Sequence, residues 1–103
     1  MCLSKRNHFR TNNSKSVRGH PTYIYKRVWK KYYFIGITHA EITKRVKNIK
    51  LIKNPNPYDS RPSYARPFSS EEDISKFGKK KKGWKIFRKD KKTINLIKKN
   101  HRK

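Results

Sequence analysis

Hydrophobic positions cluster in the middle of this chain and thin out towards both ends. Between residues 18 and 40, RGHPTYIYKRVWKKYYFIGITHA, they fall in two runs. Tyr23, Ile24, Tyr25 and Val28 make the first; Tyr32, Tyr33, Phe34, Ile35 and Ile37 make the second. β-Branched and aromatic side chains of this kind suit a pleated, half-buried surface. Trp29-Lys30-Lys31 separates the runs, so the pattern predicts an antiparallel hairpin turning around Lys30 and Lys31. Pro21 stands where a strand can begin without losing a ladder bond. Gly36 interrupts the second strand and points to a bulge or a close approach. Tyr25, Phe34, Ile35 and Ile37 are expected in the core.

Residues 41–53 carry two competing periods. Ile42, Val46 and Ile49 are spaced as on a helix, whereas Ile49 and Leu51 alternate with Lys50. The pattern predicts a short helix or turn to about Lys47, then a strand to Ile52. Residues 54–68 hold four of the five prolines. Each proline pushes its predecessor out of the helical region, which predicts an ordered, extended loop. Tyr58, Tyr64 and Phe68 give that loop something to bury. Ser70 and Asp73 then match S-x-x-D, a capping-box variant, and three acidic residues follow one another at 71–73. A helix over residues 70–77 is expected, with Gly78 as its C-cap. In residues 79–103, Asp90 is placed to open a last helix, with Ile94 and Ile97 on one face and Lys98, Lys99 and Arg102 near its end. Residues 1–17 show no clear period and read as a flexible basic arm. The expected fold class is α+β: a small antiparallel hairpin sheet with a third strand, one short helix and a basic C-terminal helix. The expected division is an arm over 1–17, a core over 18–78 and a basic tail over 79–103.

Charge changes the picture from fold to partner. Thirty residues are Lys or Arg and six are Asp or Glu, a formal net charge of +24. A chain this short at this charge repels itself on collapse and calls for a polyanion. Nucleic acid is the commonest, because each neutralised phosphate releases a condensed counterion. Hydrophobic residues are 32 %, which leans towards disorder, but aromatics at 13 % supply material for a small core. The single cysteine, Cys2, allows no internal disulfide. The longest charge-free run, residues 32–40, is too short to span a bilayer. No charged segment followed by an apolar one opens the chain, so a cytoplasmic location without membrane association is expected.

The strongest binding signal is the run Lys79, Lys80, Lys81 and Lys82, followed by Trp84 and Lys85, which sets an indole stacking face beside clustered ammonium groups. Cations interleaved with aromatics recur at Lys26 and Arg27, at Lys30 and Lys31, and at Arg61, Tyr64 and Arg66; Arg18 and Arg88 add to the basic set. Interleaving of this kind suits unpaired bases that can stack, so RNA is favoured over DNA. The first functional expectation is an RNA-binding protein, such as a ribonucleoprotein component, working by phosphate neutralisation and stacking without a cofactor. The alternative is a small metal-independent ribonuclease, for instance the toxin of a toxin–antitoxin pair with an acidic protein partner. In that reading His20 and His39, at the outer ends of the hairpin, supply acid and base. Two histidines with no obvious carboxylate partner make a poor ligand set, and no metal is expected. At the level of fold alone, a strand-rich basic core without a carboxylate dyad resembles the small bacterial ribonucleases of the barnase and colicin type.

Overall fold

A computed structural model describes residues 6–9, 14–15, 21–80 and 83–102, with 6–9, 14–15, 79 and 80 described as backbone only. The fold is α+β. Strands β1 (Arg6–Phe9) and β2 (Ser14–Lys15) precede the hairpin of β3 (Pro21–Val28) and β4 (Lys31–Thr38). A miniature pair follows, β5 (Ile42–Thr43) with β6 (Val46–Lys47), then β7 (Ile49–Lys50). Strand β8 (Tyr64–Asp73), a 3₁₀ turn (Ile74–Lys76) and β9 (Phe77–Lys80) come next. A second 3₁₀ turn (Arg88–Asp90) leads into helix α1 (Lys91–Lys98). The main sheet runs β2-β1-β3-β4-β8-β7, with β9 paired to β1.

The hairpin forms where the β-forming runs predict it. Its turn is Trp29-Lys30, and Trp29 adopts φ +53°. Successive residues alternate between faces, and both faces are covered. On one, Tyr23, Ile35, Ile37, Leu51 and Ala65 pack with Ile86, Ile94 and Ile97. The C-terminal segment therefore contributes to the core, through the face of α1 that carries Ile94 and Ile97. On the other, Ile24 and Phe34 pack with Phe77. Phe34, Ile35 and Ile37 are buried, while Tyr25 is half-buried against the first cluster.

Several sequence expectations are corrected. The helix over residues 70–77 is absent. Ser70, Glu71, Glu72 and Asp73 pair with Phe34, Tyr33, Tyr32 and Lys31 instead. The open edge of β4 offers a full ladder, which outweighs a local cap. Asp73 still caps, but it caps the 3₁₀ turn, accepting from the Ser75 amide at 2.9 Å. Gly78 lies inside β9 rather than at a helix end. No helix forms over 41–47; Lys44 and Arg45 turn the β5–β6 hairpin at φ +48° and +66°. Ile42 is 61 % exposed and Ile49 37 %, so the helical spacing had no buried face to serve. The following strand spans Ile49–Lys50 only. Within the segment read as a flexible arm, β1 and β2 pair, and β1 also lies parallel to β3 and β9.

Asp90 sits at the start of α1, but its side chain does not cap the helix and faces inward instead. It is 1 % exposed and accepts hydrogen bonds from the amides of Ile52 at 2.8 Å and Lys53 at 3.1 Å. That contact docks the chain after β7 onto the helix start.

Candidate nucleic-acid interface

The hairpin tip is a cationic and aromatic projection. Lys26, Arg27, Lys30 and Lys31 are all exposed. Trp29 is 82 % exposed, with the Lys30 ammonium 5.6 Å from its ring centre. Arg27 braces the turn by donating from Nε to the Trp29 carbonyl at 2.8 Å. Lys26 lies over the Tyr33 ring at 5.1 Å.

A second region is built by the proline loop. Arg61 holds Asp59 through Nε and Nη2, the shortest contact being 2.8 Å. This grip, more than any other contact, keeps the Asp59 carboxyl far below the usual carboxylate range. His39 stands beside the pair, with Nε2 3.5 Å from Asp59 Oδ2 and Nδ1 3.1 Å from the Pro62 carbonyl. A carbonyl only accepts, so Nδ1 carries the proton of that bond. His39, Trp84, Ser63, Asn54 and Pro21 line a small cavity of about 230 Å³. Trp84 is half-buried and packs against the core beneath it. Tyr58 is 89 % exposed nearby.

A third region is a cleft of about 490 Å³ on the sheet face opposite α1. Pairing explains it. Between Ile37↔Ala65 and Ile35↔Ser69, Arg66, Pro67 and Phe68 of β8 all stand opposite Gly36 of β4. Pro67 has no N–H for the ladder, and the strand bulges there. The bulge sends both Arg66 and Phe68 into the cleft. Arg66 Nη1 donates to Asn48 Oδ1 at 2.9 Å and to the Thr43 carbonyl at 3.2 Å. Asn48 is itself buried and fixed by the Ala40 carbonyl and Thr43 Oγ1, each at 2.9 Å.

The structure thus brings Arg66 to a cleft, gathers Lys26, Arg27, Lys30 and Lys31 at one tip, and leaves Tyr64 half-buried on β8. Lys85 and Arg88 are exposed on the segment before α1. Arg18, His20, Lys81 and Lys82 lie outside the described residues, and Lys79 and Lys80 are described only as backbone of β9. The pairing of His20 with His39 therefore also lies outside them.

Sequence reasoning passed over His101. Its Nδ1 lies 2.8 Å from Ser69 Oγ, its Nε2 lies 3.0 Å from Glu71 Oε1, and its ring stacks on Tyr33 at 5.1 Å. Tyr25 donates to Ser69 Oγ at 2.9 Å. One assignment satisfies every group: Tyr25 to Ser69, Ser69 to His101 Nδ1, and His101 Nε2–H to Glu71. The His101 bond is the main reason that the Glu71 carboxyl lies below its ordinary range, with Lys31 second. Ser69 is fully buried, so its hydroxyl is a link and not an exposed nucleophile. The chain also zips the segment after α1 to β8, through Ser69 N to Asn100 O and Arg102 N to Ser69 O. No local pattern marks His101, because its partners lie 30 and 32 positions away.

No protein-family model, curated protein or solved structure matches the chain. Among the described residues no helix is long and apolar enough to cross a membrane.

Proposed function

We propose that this protein binds nucleic acid, with single-stranded RNA favoured, by phosphate neutralisation and base stacking. The observation that carries the reading is the fate of the carboxylates. Four of the six are committed within the fold: Asp59 to Arg61, Glu71 to Lys31 and His101, Asp73 to a turn amide, and Asp90 to two backbone amides. Among the described residues, Lys31 and Arg61 are the only Lys or Arg side chains in ion pairs. Most of the other described cations are exposed, and none of them has an internal carboxylate counter-ion, which suits a polyanion partner. Exposed Trp29 and Tyr58 on this basic surface suit unpaired bases. A cytoplasmic setting belongs to the same proposal; an acidic protein that masks the charge belongs to the ribonuclease reading below.

Competition tests it: a labelled single-stranded RNA displaced by unlabelled RNA, by duplex DNA of equal length, and by anionic lipid vesicles. RNA should compete best. Replacing both Trp29 and Tyr58 with Ala should cost about 1–3 kcal/mol per stacked base. Vesicles that outcompete RNA would contradict the reading.

A metal-independent ribonuclease is the second reading, favoured by the fixed orientation of His39 between Pro62 and Asp59. It requires cleavage in EDTA that falls by about 10²–10⁴ in His39→Ala. Intact RNA after incubation with the wild type removes it.

A further inference from the structure

We propose that the cleft over Gly36 is a phosphate-ester subsite that holds one nucleotide unit between Arg66, Arg102 and Lys44. The proposal rests on the nucleic-acid reading and narrows it to a place.

Two guanidinium groups lie over one ring there and both line the cleft. Arg102 Cζ lies 3.9 Å from the Phe68 ring centre and Arg66 Cζ lies 5.0 Å from it. Neither arginine makes an ion pair among the described residues. Two like charges that line one cleft disfavour each other, and an anion between them offsets that. Arg66 already feels the strain: burial, and then the charge of Arg102, pull its pKa down. Yet its position is built. Nη1 is fixed by Asn48 and Thr43, which leaves Nε and Nη2 without a hydrogen bond among the described residues. A guanidinium held along one edge and open along the other is arranged for bidentate contact with a phosphate. Lys44 lines the same cleft from the β5–β6 turn, at a left-handed φ of +48°. Hydroxyl-bearing Thr22, Thr38 and Ser70 also line the cleft, whose 490 Å³ falls within the range of small-ligand sites. Glu71 and Glu72 line it as well. Glu71 is engaged by Lys31 and His101, so Glu72 is the carboxylate that opposes an anion.

The test titrates the full chain with adenosine 5′-monophosphate and with adenosine, followed by nuclear magnetic resonance. The monophosphate should saturate one site and adenosine should not. Arg66→Gln, Arg102→Gln and Lys44→Gln should each weaken it by about tenfold, the worth of one charge-assisted hydrogen bond. Glu72→Gln should tighten it. Arg102 and Lys44 are exposed, so their variants keep the test sound if Arg66→Gln unfolds. A trinucleotide with and without a 5′-phosphate separates a terminal phosphate from an internal phosphodiester as the ligand. Equal affinity of the wild type, Arg102→Gln and Lys44→Gln for the monophosphate overturns the subsite. Binding of a long RNA, measured in parallel, separates the two claims. If it persists where the monophosphate fails to saturate, the subsite alone is wrong. If it is absent while the monophosphate still depends on Arg102 and Lys44, the subsite stands and the general reading falls.

Discussion

Gly36 on β4 and Arg66 on β8 occupy one space: a Cβ on residue 36 would lie 2.9 Å from Arg66 Cγ. Cγ is close to the root of the arginine, so a small shift at the guanidinium cannot relieve the contact. Gly36→Ala should swing the whole side chain away from Asn48 and cost about 1–3 kcal/mol of stability, as overpacking does. Urea denaturation should show the loss, and Gly36→Ala should cost much less when it is added to Arg66→Ala than when it is made in the parent. A Gly36→Ala protein with the parent midpoint would mean that Arg66 moves freely and is not held.

Asp90 should matter more to stability than any exposed carboxylate. Its side chain is the acceptor for two amides in the segment after β7. Asp90→Ala removes the acceptor of both donors, at a cost of about 1–3 kcal/mol for each one that water cannot reach. Asp90→Asn keeps one acceptor oxygen and should lose less. Equal midpoints for the parent and Asp90→Ala would place those amides in water.

Acid should unfold the protein through a few identifiable carboxyls. Glu71, Asp59 and Asp73 all have folded-state pKa values lowered, by His101, Arg61 and Ser75 respectively in first place. A lowered value means that the unfolded chain binds more protons, so stability rises with pH across the window. The contribution is complete above the ordinary values of 4.5 for Glu71 and 3.8 for the two aspartates. It is lost as pH falls below them. Glu71→Gln should remove its share, giving a smaller drop in urea midpoint between about pH 6 and about pH 3 than in the parent. An identical drop would show that the His101–Glu71 contact does not persist in solution.

What could be read from the sequence was what depends on neighbours along the chain. The β3–β4 hairpin follows from its β-forming runs, and the buried face of α1 follows from the three-residue spacing of Ile94 and Ile97. What could not be read depends on partners far away. Ser70 and Asp73 satisfy a helix-capping pattern, yet Glu71 finds Lys31 forty positions off and His101 thirty positions off. The Lys44-Arg45 turn lacks the Asn-Gly or Asp-Gly pair that normally marks two left-handed residues, so its hairpin carries no signal. The cleft combines both cases. Arg66 stands out among prolines and aromatics, but Arg102 and Lys44 reach it only through the register of β8 and the docking of the segment after α1.

The central claim, that surplus positive charge is there for a polyanion, is tested most directly by the salt dependence of binding to a single-stranded RNA. Engagement of roughly six to ten phosphates gives a slope of log affinity against log salt of roughly −4 to −7 for a single strand. Arg66→Gln should reduce that slope by about one phosphate's share, and Lys26→Gln with Lys30→Gln at the hairpin tip by about two. A wild-type slope near zero, or binding that persists unchanged in molar salt, would contradict the account.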